Sequence, residues 1–123
     1  MGLDMYLEKR KVNSEDYEEI AYWRKANQIR EWFNSHLENG VENCEYVQVS
    51  KEDLEQLLED CKMVLENHDL AEELLPTSKG FFFGSTLYDD WYFEDLKDTV
   101  KMLEQILEET DFENEKVYYY EWW

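Results

Sequence analysis

Asp89, Asp90, Glu94 and Asp95 stand within seven positions of one another, and four carboxylates so close could hold a hard cation. Mg²⁺ and Ca²⁺ want several oxygens. No EF-hand spacing appears, however, and Trp91, Tyr92 and Phe93 interrupt the series. The simpler reading is that these acids favour the positive end of a helix dipole. Just upstream, Gly80-Phe81-Phe82-Phe83-Gly84-Ser85-Thr86 resembles a glycine-rich turn that could offer backbone N–H groups to a phosphate. A P-loop needs a lysine directly before its Ser or Thr, and Gly84 stands there instead. Three phenylalanines between the glycines favour packing over phosphate access. His36, His68, Cys44 and Cys61 show no zinc-ligand spacing, and Cys44 has no obvious catalytic neighbourhood. The expectation is a non-enzyme: no catalytic residue, no metal and no cofactor.

Two chemistries remain, both of binding. The first uses acids at helical spacing, where side chains three and four apart lie about 5–6 Å from each other. Glu52, Glu55, Glu59 and Glu66 form one such row, and Asp90, Glu94 and Asp98 another. Such rows suit the basic surface of a partner protein, of the kind that handles nucleic acid. They equally suit a solvated face. The second chemistry uses Trp23, Arg24, Lys25 and Arg30 with Phe81, Phe82, Phe83 and Trp91. Rings from this set could stack on a small molecule or nucleotide derivative while Arg24 or Lys25 meets a phosphate. The plainer role for the three cations is to pair with acids elsewhere. A third, structural option is self-association through the tail Tyr118-Tyr119-Tyr120-Glu121-Trp122-Trp123, because an exposed terminal strand can pair with its copy.

These residues must be positioned by a small α+β domain. Leu3, Met5 and Leu7 alternate with polar residues, the pattern of a half-buried strand. Asn13-Ser14 predicts a turn into a helix from about Glu15 to Leu37, with Tyr22, Ala26, Ile29, Phe33 and Leu37 as its inner stripe. Trp23 and Trp32 flank that stripe, and Asn39-Gly40 closes the helix. Cys44–Val49 reads as a second strand. Ser50 and Asp53 then resemble a capping box opening a helix whose stripe is Leu54, Leu57, Leu58, Cys61, Val64, Leu65 and His68. Asp69 is expected to cap a short helix that Pro76 ends. A third long helix should reach about Thr110, burying Phe93, Leu96, Val100, Leu103 and Leu107. Val117, Tyr119 and Glu121 alternate with Tyr118, Tyr120 and Trp122 as a last strand. The expected order is β-α-β-α-α-α-β, with three long helices on one face of a small, mostly antiparallel three-stranded sheet.

Composition bounds the rest. With 123 residues, 43% hydrophobic and 16% aromatic, one folded domain over residues 1–123 is expected. Its 31 acids against 12 bases give a net charge of −19. The negative field is uneven: residues 50–75 carry nine acids and two bases, and residues 85–115 eleven and two. A surface of this sign disfavours nucleic acid as a direct ligand. Two cysteines make no disulfide framework. The N-terminus has no long apolar run, so neither a signal peptide nor a membrane span is expected, and a cytoplasmic location is the default.

Three segments, MGLDMYL, AYWRKANQI and GFFFGSTLYDDWYFEDLKDTV, resemble a family of small proteins encoded by bacteriophages and prophages. The likeness runs with gaps along nearly the whole chain. It implies an accessory protein acting inside a bacterial host cell, and it implies no catalytic residue. Phage proteins of this kind often interfere with host nucleases or defence systems, so the resemblance raises an acidic inhibitor of a host protein above the other options.

Overall fold

The computed structural model describes residues 2–80 and 83–123, with one strand more and a shorter first helix than the sequence pattern implies. In chain order they are β1 (Asp4–Lys11), β2 (Tyr17–Arg24), α1 (Asn27–His36), β3 (Val47–Val49), α2 (Lys51–Glu66), a 3₁₀ turn (His68–Leu70), α3 (Ala71–Leu74), α4 (Asp90–Glu109) and β4 (Glu115–Trp122). The α+β class holds. The sheet has four strands rather than three, all antiparallel, in the order β2-β1-β4-β3.

The largest difference lies in the first third of the chain. Asn13, at φ 65°, turns the chain into a hairpin, and Tyr17–Arg24 returns as β2 instead of opening a long helix. A bulge between Leu7 and Glu8 explains why the pattern misleads. It makes Ile20 and Ala21 consecutive residues on the core side, which breaks the period of two. Tyr22, expected in the core, is 44% exposed. Lys25, at φ 56°, then separates strand from helix, so no helix runs through it. Only the second half of the expected helix forms, and Ala26, Ile29, Phe33 and Leu37 are buried as its spacing requires.

Elsewhere the local signals hold in part: the expected strand Cys44–Val49 forms only over Val47–Val49, because Cys44 sits at φ 65°. Ser50 Oγ accepts from the Asp53 N–H at 3.0 Å while Asp53 Oδ2 accepts from the Ser50 N–H at 2.9 Å, a complete capping box. Leu54, Leu57, Cys61 and Val64 of α2 are buried, each aliphatic chain contributing about 1.5–3 kcal/mol before entropy is charged. The 3₁₀ turn is capped by Asn67, whose Oδ1 accepts from the Asp69 N–H, so Asp69 itself is not the cap. Helix α4 is rotated slightly from expectation. Its fully sequestered residues are Tyr92, Leu96, Thr99, Leu103 and Ile106, while Phe93, Val100 and Leu107 pack only partly against the core. Thr99 earns the inner position because its Oγ1 accepts the Trp23 indole N–H at 2.8 Å and donates to the Asp95 carbonyl at 2.7 Å.

Helices cover one face of the sheet, and the inner residues of β1 and β4 alternate as expected. Leu3, Met5 and Leu7 are fully buried, as are Val117, Tyr119 and Glu121. Strand β4 lies between β1 and β3, so the C-terminal strand is not a free edge for pairing with a copy. The free edges belong to β2 and β3. Glu121 is a carboxylate on the apolar side, and it is satisfied from three directions. Arg30 Nε donates to its two oxygens at 3.0 and 3.2 Å, the Tyr119 hydroxyl at 2.9 Å and the Trp123 indole N–H at 2.7 Å. Removing one member of a buried ion pair strands the other, at a cost of about 3–5 kcal/mol. Glu121→Ala is therefore expected to lose stability on that order in urea titration, and replacing Arg30 and Glu121 together by Met and Leu should lose less.

Candidate functional site

The described residues of the 77–86 segment that carries the sequence candidates are tied by Asn27, by the Thr77 hydroxyl, which donates to the Thr86 carbonyl at 3.0 Å, and by the Tyr88 hydroxyl, which accepts from the Thr77 N–H at 3.2 Å. Asn27 Nδ2 donates to the carbonyls of Phe83 and Ser85 at 3.0 and 2.8 Å, and its Oδ1 accepts from the Ser78 N–H at 2.9 Å. A buried amide that meets both sides of a loop fixes it as a backbone pairing would. Gly84, at φ 85°, passes so near Lys25 that a Cβ there would lie 3.1 Å from that side chain. Asp89 begins α4 by accepting the Tyr92 N–H at 3.1 Å, and Asp90 lies in the first turn, where the helix dipole favours an acid as expected. Among the described residues, no group of three or more His, Cys, Asp or Glu could hold a metal ion.

The proposed ring-and-cation set is split by the fold. Arg24, Lys25 and Trp91 line a common cleft of about 320 Å³, together with Gln28, Leu87 and Asp95. Trp91 is 79% exposed on its rim. Trp23 does not line it; its ring is buried against Phe33. Arg30 is also withdrawn, with its guanidinium 4.9 Å from the Phe83 ring and its Nε on Glu121. Phe83 is buried beside Trp123. Phe81 and Phe82 lie outside the described residues. Among the described residues, no carboxylate comes within ion-pair distance of Arg24 or Lys25. The expectation that all three cations pair with acids holds for Arg30 alone.

Asp95 is the most perturbed carboxyl facing this cleft. Burial pushes its pKa up to about 6; the Gln28 amide, 3.4 Å away, draws it back, and the charges of Asp98, Asp89 and Glu94 push it further. The cleft thus offers two cations, an aromatic wall and a carboxyl that changes charge near neutrality.

The acidic rows sit where helical spacing puts them. Glu52, Glu55, Glu59 and Glu66 on α2 are all exposed, as are Asp90, Glu94 and Asp98 on α4. The two helices pack side by side and are bridged at the surface by Lys62 and Glu104 at 3.6 Å. Glu94 has Lys97 at 3.8 Å, an exposed pair of small weight. A broader polar groove of about 580 Å³, between the start of α2 and the turn before β4, includes Glu52 but no other candidate.

Sequence reasoning missed the opposite face of the sheet. Tyr6, Tyr22, Tyr46, Tyr118, Tyr120 and Trp122 stand there together, away from the helices. Tyr46 stacks on Tyr120 at 4.5 Å, and Tyr6 lies 5.2 Å from Tyr22 and 6.2 Å from Tyr120. The Tyr22 hydroxyl donates to Asp4, which with burial pushes its pKa up to about 12. The alternation of the tail was a signal for this face; its β2 half was hidden by the helix assignment.

Comparison with family models, curated proteins and solved structures finds no match for this chain. No helix among the described residues is long and apolar enough to cross a membrane.

Asp95 yields a pH test. Its folded pKa, near 6, exceeds the unfolded value of about 3.9, so its contribution to stability is whole below about pH 4 and is lost as pH rises through about 6. Asp95→Asn, which keeps an acceptor for Gln28, is expected to melt about 2–4 °C above wild type at neutral pH and level with it near pH ~4 by calorimetry.

Proposed function

We propose that this protein is a non-enzymatic interaction protein that binds and inhibits a basic, nucleic-acid-handling or defence protein of a bacterial host. The observation that carries this reading is the exposure of all seven candidate acids on two adjacent helices, with only scattered cations among them. At a net charge of −19 the field around α2 and α4 draws in a basic surface from a distance and repels nucleic acid itself. The resemblance to phage-encoded proteins supports a partner inside the host cell.

A second reading is supported by the cleft between Arg24, Lys25 and Trp91, whose two cations lack protein partners among the described residues. In that reading the protein holds a small molecule or nucleotide derivative. A ligand of the cleft raises the melting temperature with its concentration.

Affinity purification of the tagged protein from infected host cells separates the two. The interaction reading expects a DNA- or RNA-binding host protein to be retained at low salt and released as salt rises. A variant with Glu52, Glu55 and Glu59 changed to Gln should retain several-fold less of it. Retention that is indifferent to both salt and these substitutions would count against the acidic helices.

A further inference from the structure

The uncovered face of the sheet contains a groove of about 270 Å³ lined by Tyr6, Tyr17, Tyr46, Tyr120 and Trp122, with Glu8 and Glu19 between the rings. Glu8 and Glu19 are direct partners across β1 and β2. Like charges so placed destabilise a sheet unless a cation comes between or beside them. The same face already shows how it receives one. Arg10 Nη2 donates to Glu8 Oε2 at 2.9 Å, and its guanidinium carbon lies 4.7 Å from the Tyr46 ring and 4.6 Å from the Tyr118 ring. Carboxylate at the edge and tyrosine on the flat faces make a complete cradle for a planar cation.

On the β2 side the same parts recur without an internal cation. Glu19 has no hydrogen-bond or ion-pair partner among the described residues, Tyr17 is 72% exposed and Trp122 54% exposed. We propose that this groove takes arginine side chains of a basic partner protein, repeating beside Glu19 the arrangement that Arg10 makes beside Glu8. The proposal rests on the reading of the protein as a binder of basic proteins and assigns the recognition to the sheet rather than to helix charge alone. Arginine is favoured over lysine because its planar guanidinium stacks on rings and sheds water more readily. Single-stranded nucleic acid, which also uses aromatic platforms, would bring its phosphates against Glu8 and Glu19. A second copy of this chain would bring like charge to like.

The test is calorimetric titration of the full chain with oligo-arginine and oligo-lysine peptides of equal length, and with oligothymidine. The wild type should bind oligo-arginine at least about fivefold tighter than oligo-lysine. Glu19→Gln, and separately Tyr17→Ser with Trp122→Ser, should bring the two peptides to equal affinity while leaving the melting temperature within the range of exposed-site changes. Neutralising Glu52, Glu55 and Glu59 should weaken both peptides alike and keep the preference. Equal affinity for the two peptides, or a preference that survives the groove substitutions, overturns the groove and leaves the acidic-helix reading standing. Failure of both peptides to bind overturns both readings. Tight oligothymidine binding, or a dimer in sedimentation that the groove substitutions dissolve, gives the face a different occupant and overturns the proposal.

Discussion

A buried carboxylate on the wrong side of a strand holds this fold together. Glu121 points into the core, where an unpaired charge would be ruinous, and three donors from separate places converge on it. Arg30 comes from α1, Tyr119 from the same strand, and Trp123 from the residue just beyond it. Phe83, from the segment before α4, covers the guanidinium. The network is therefore a joint between α1, β4 and the glycine-flanked loop. It leaves Arg30 unable to serve a ligand, which confines the cationic chemistry of the cleft to Arg24 and Lys25.

Around that joint, polar side chains in the core act as locators. Asn27 holds the loop, Trp23 meets Thr99 of α4, and the Trp32 indole donates to buried Asp60 of α2 at 2.8 Å. Each bond spans elements that apolar packing alone would allow to slide. Gln56 completes Asp60 with a second donor at 2.9 Å, so that carboxylate is also paired on both oxygens. The consequence for function is a division of labour. Acids that build the molecule are buried and satisfied, and acids that can meet a partner are exposed on α2, α4 and the outer sheet.

Much of this was legible in the chain. Period-two alternation located β1 and β4 with their correct faces, and the Ser50–Asp53 pair marked the start of α2. The exposure of the acidic rows followed from helical spacing. What was hidden had a physical reason in each case. A bulge set Ile20 and Ala21 side by side and made a strand look helical, since Tyr22, Ala26, Ile29 and Phe33 also fit a helix face. Glu121 read as an ordinary alternate position because no local rule reveals a partner 91 positions away. The cleft kept Arg24, Lys25 and Trp91 together but lost Trp23, whose ring turned inward once its segment became a strand.

The strand order carries a kinetic implication. Strand β1 pairs with β2 through a short turn, yet its other edge waits for β4, so that Leu7 meets Tyr119 from the far end of the chain. Local hairpin closure is quick, whereas joining segments so remote in sequence demands a large loss of chain entropy before any contact rewards it. Until that seam closes, one edge of an aromatic-rich hairpin stays open, offering a template to any strand that arrives first. The crowding of carboxylates along the chain, at a net charge of −19, sets half-assembled copies against one another by mutual repulsion while the seam is still unmade.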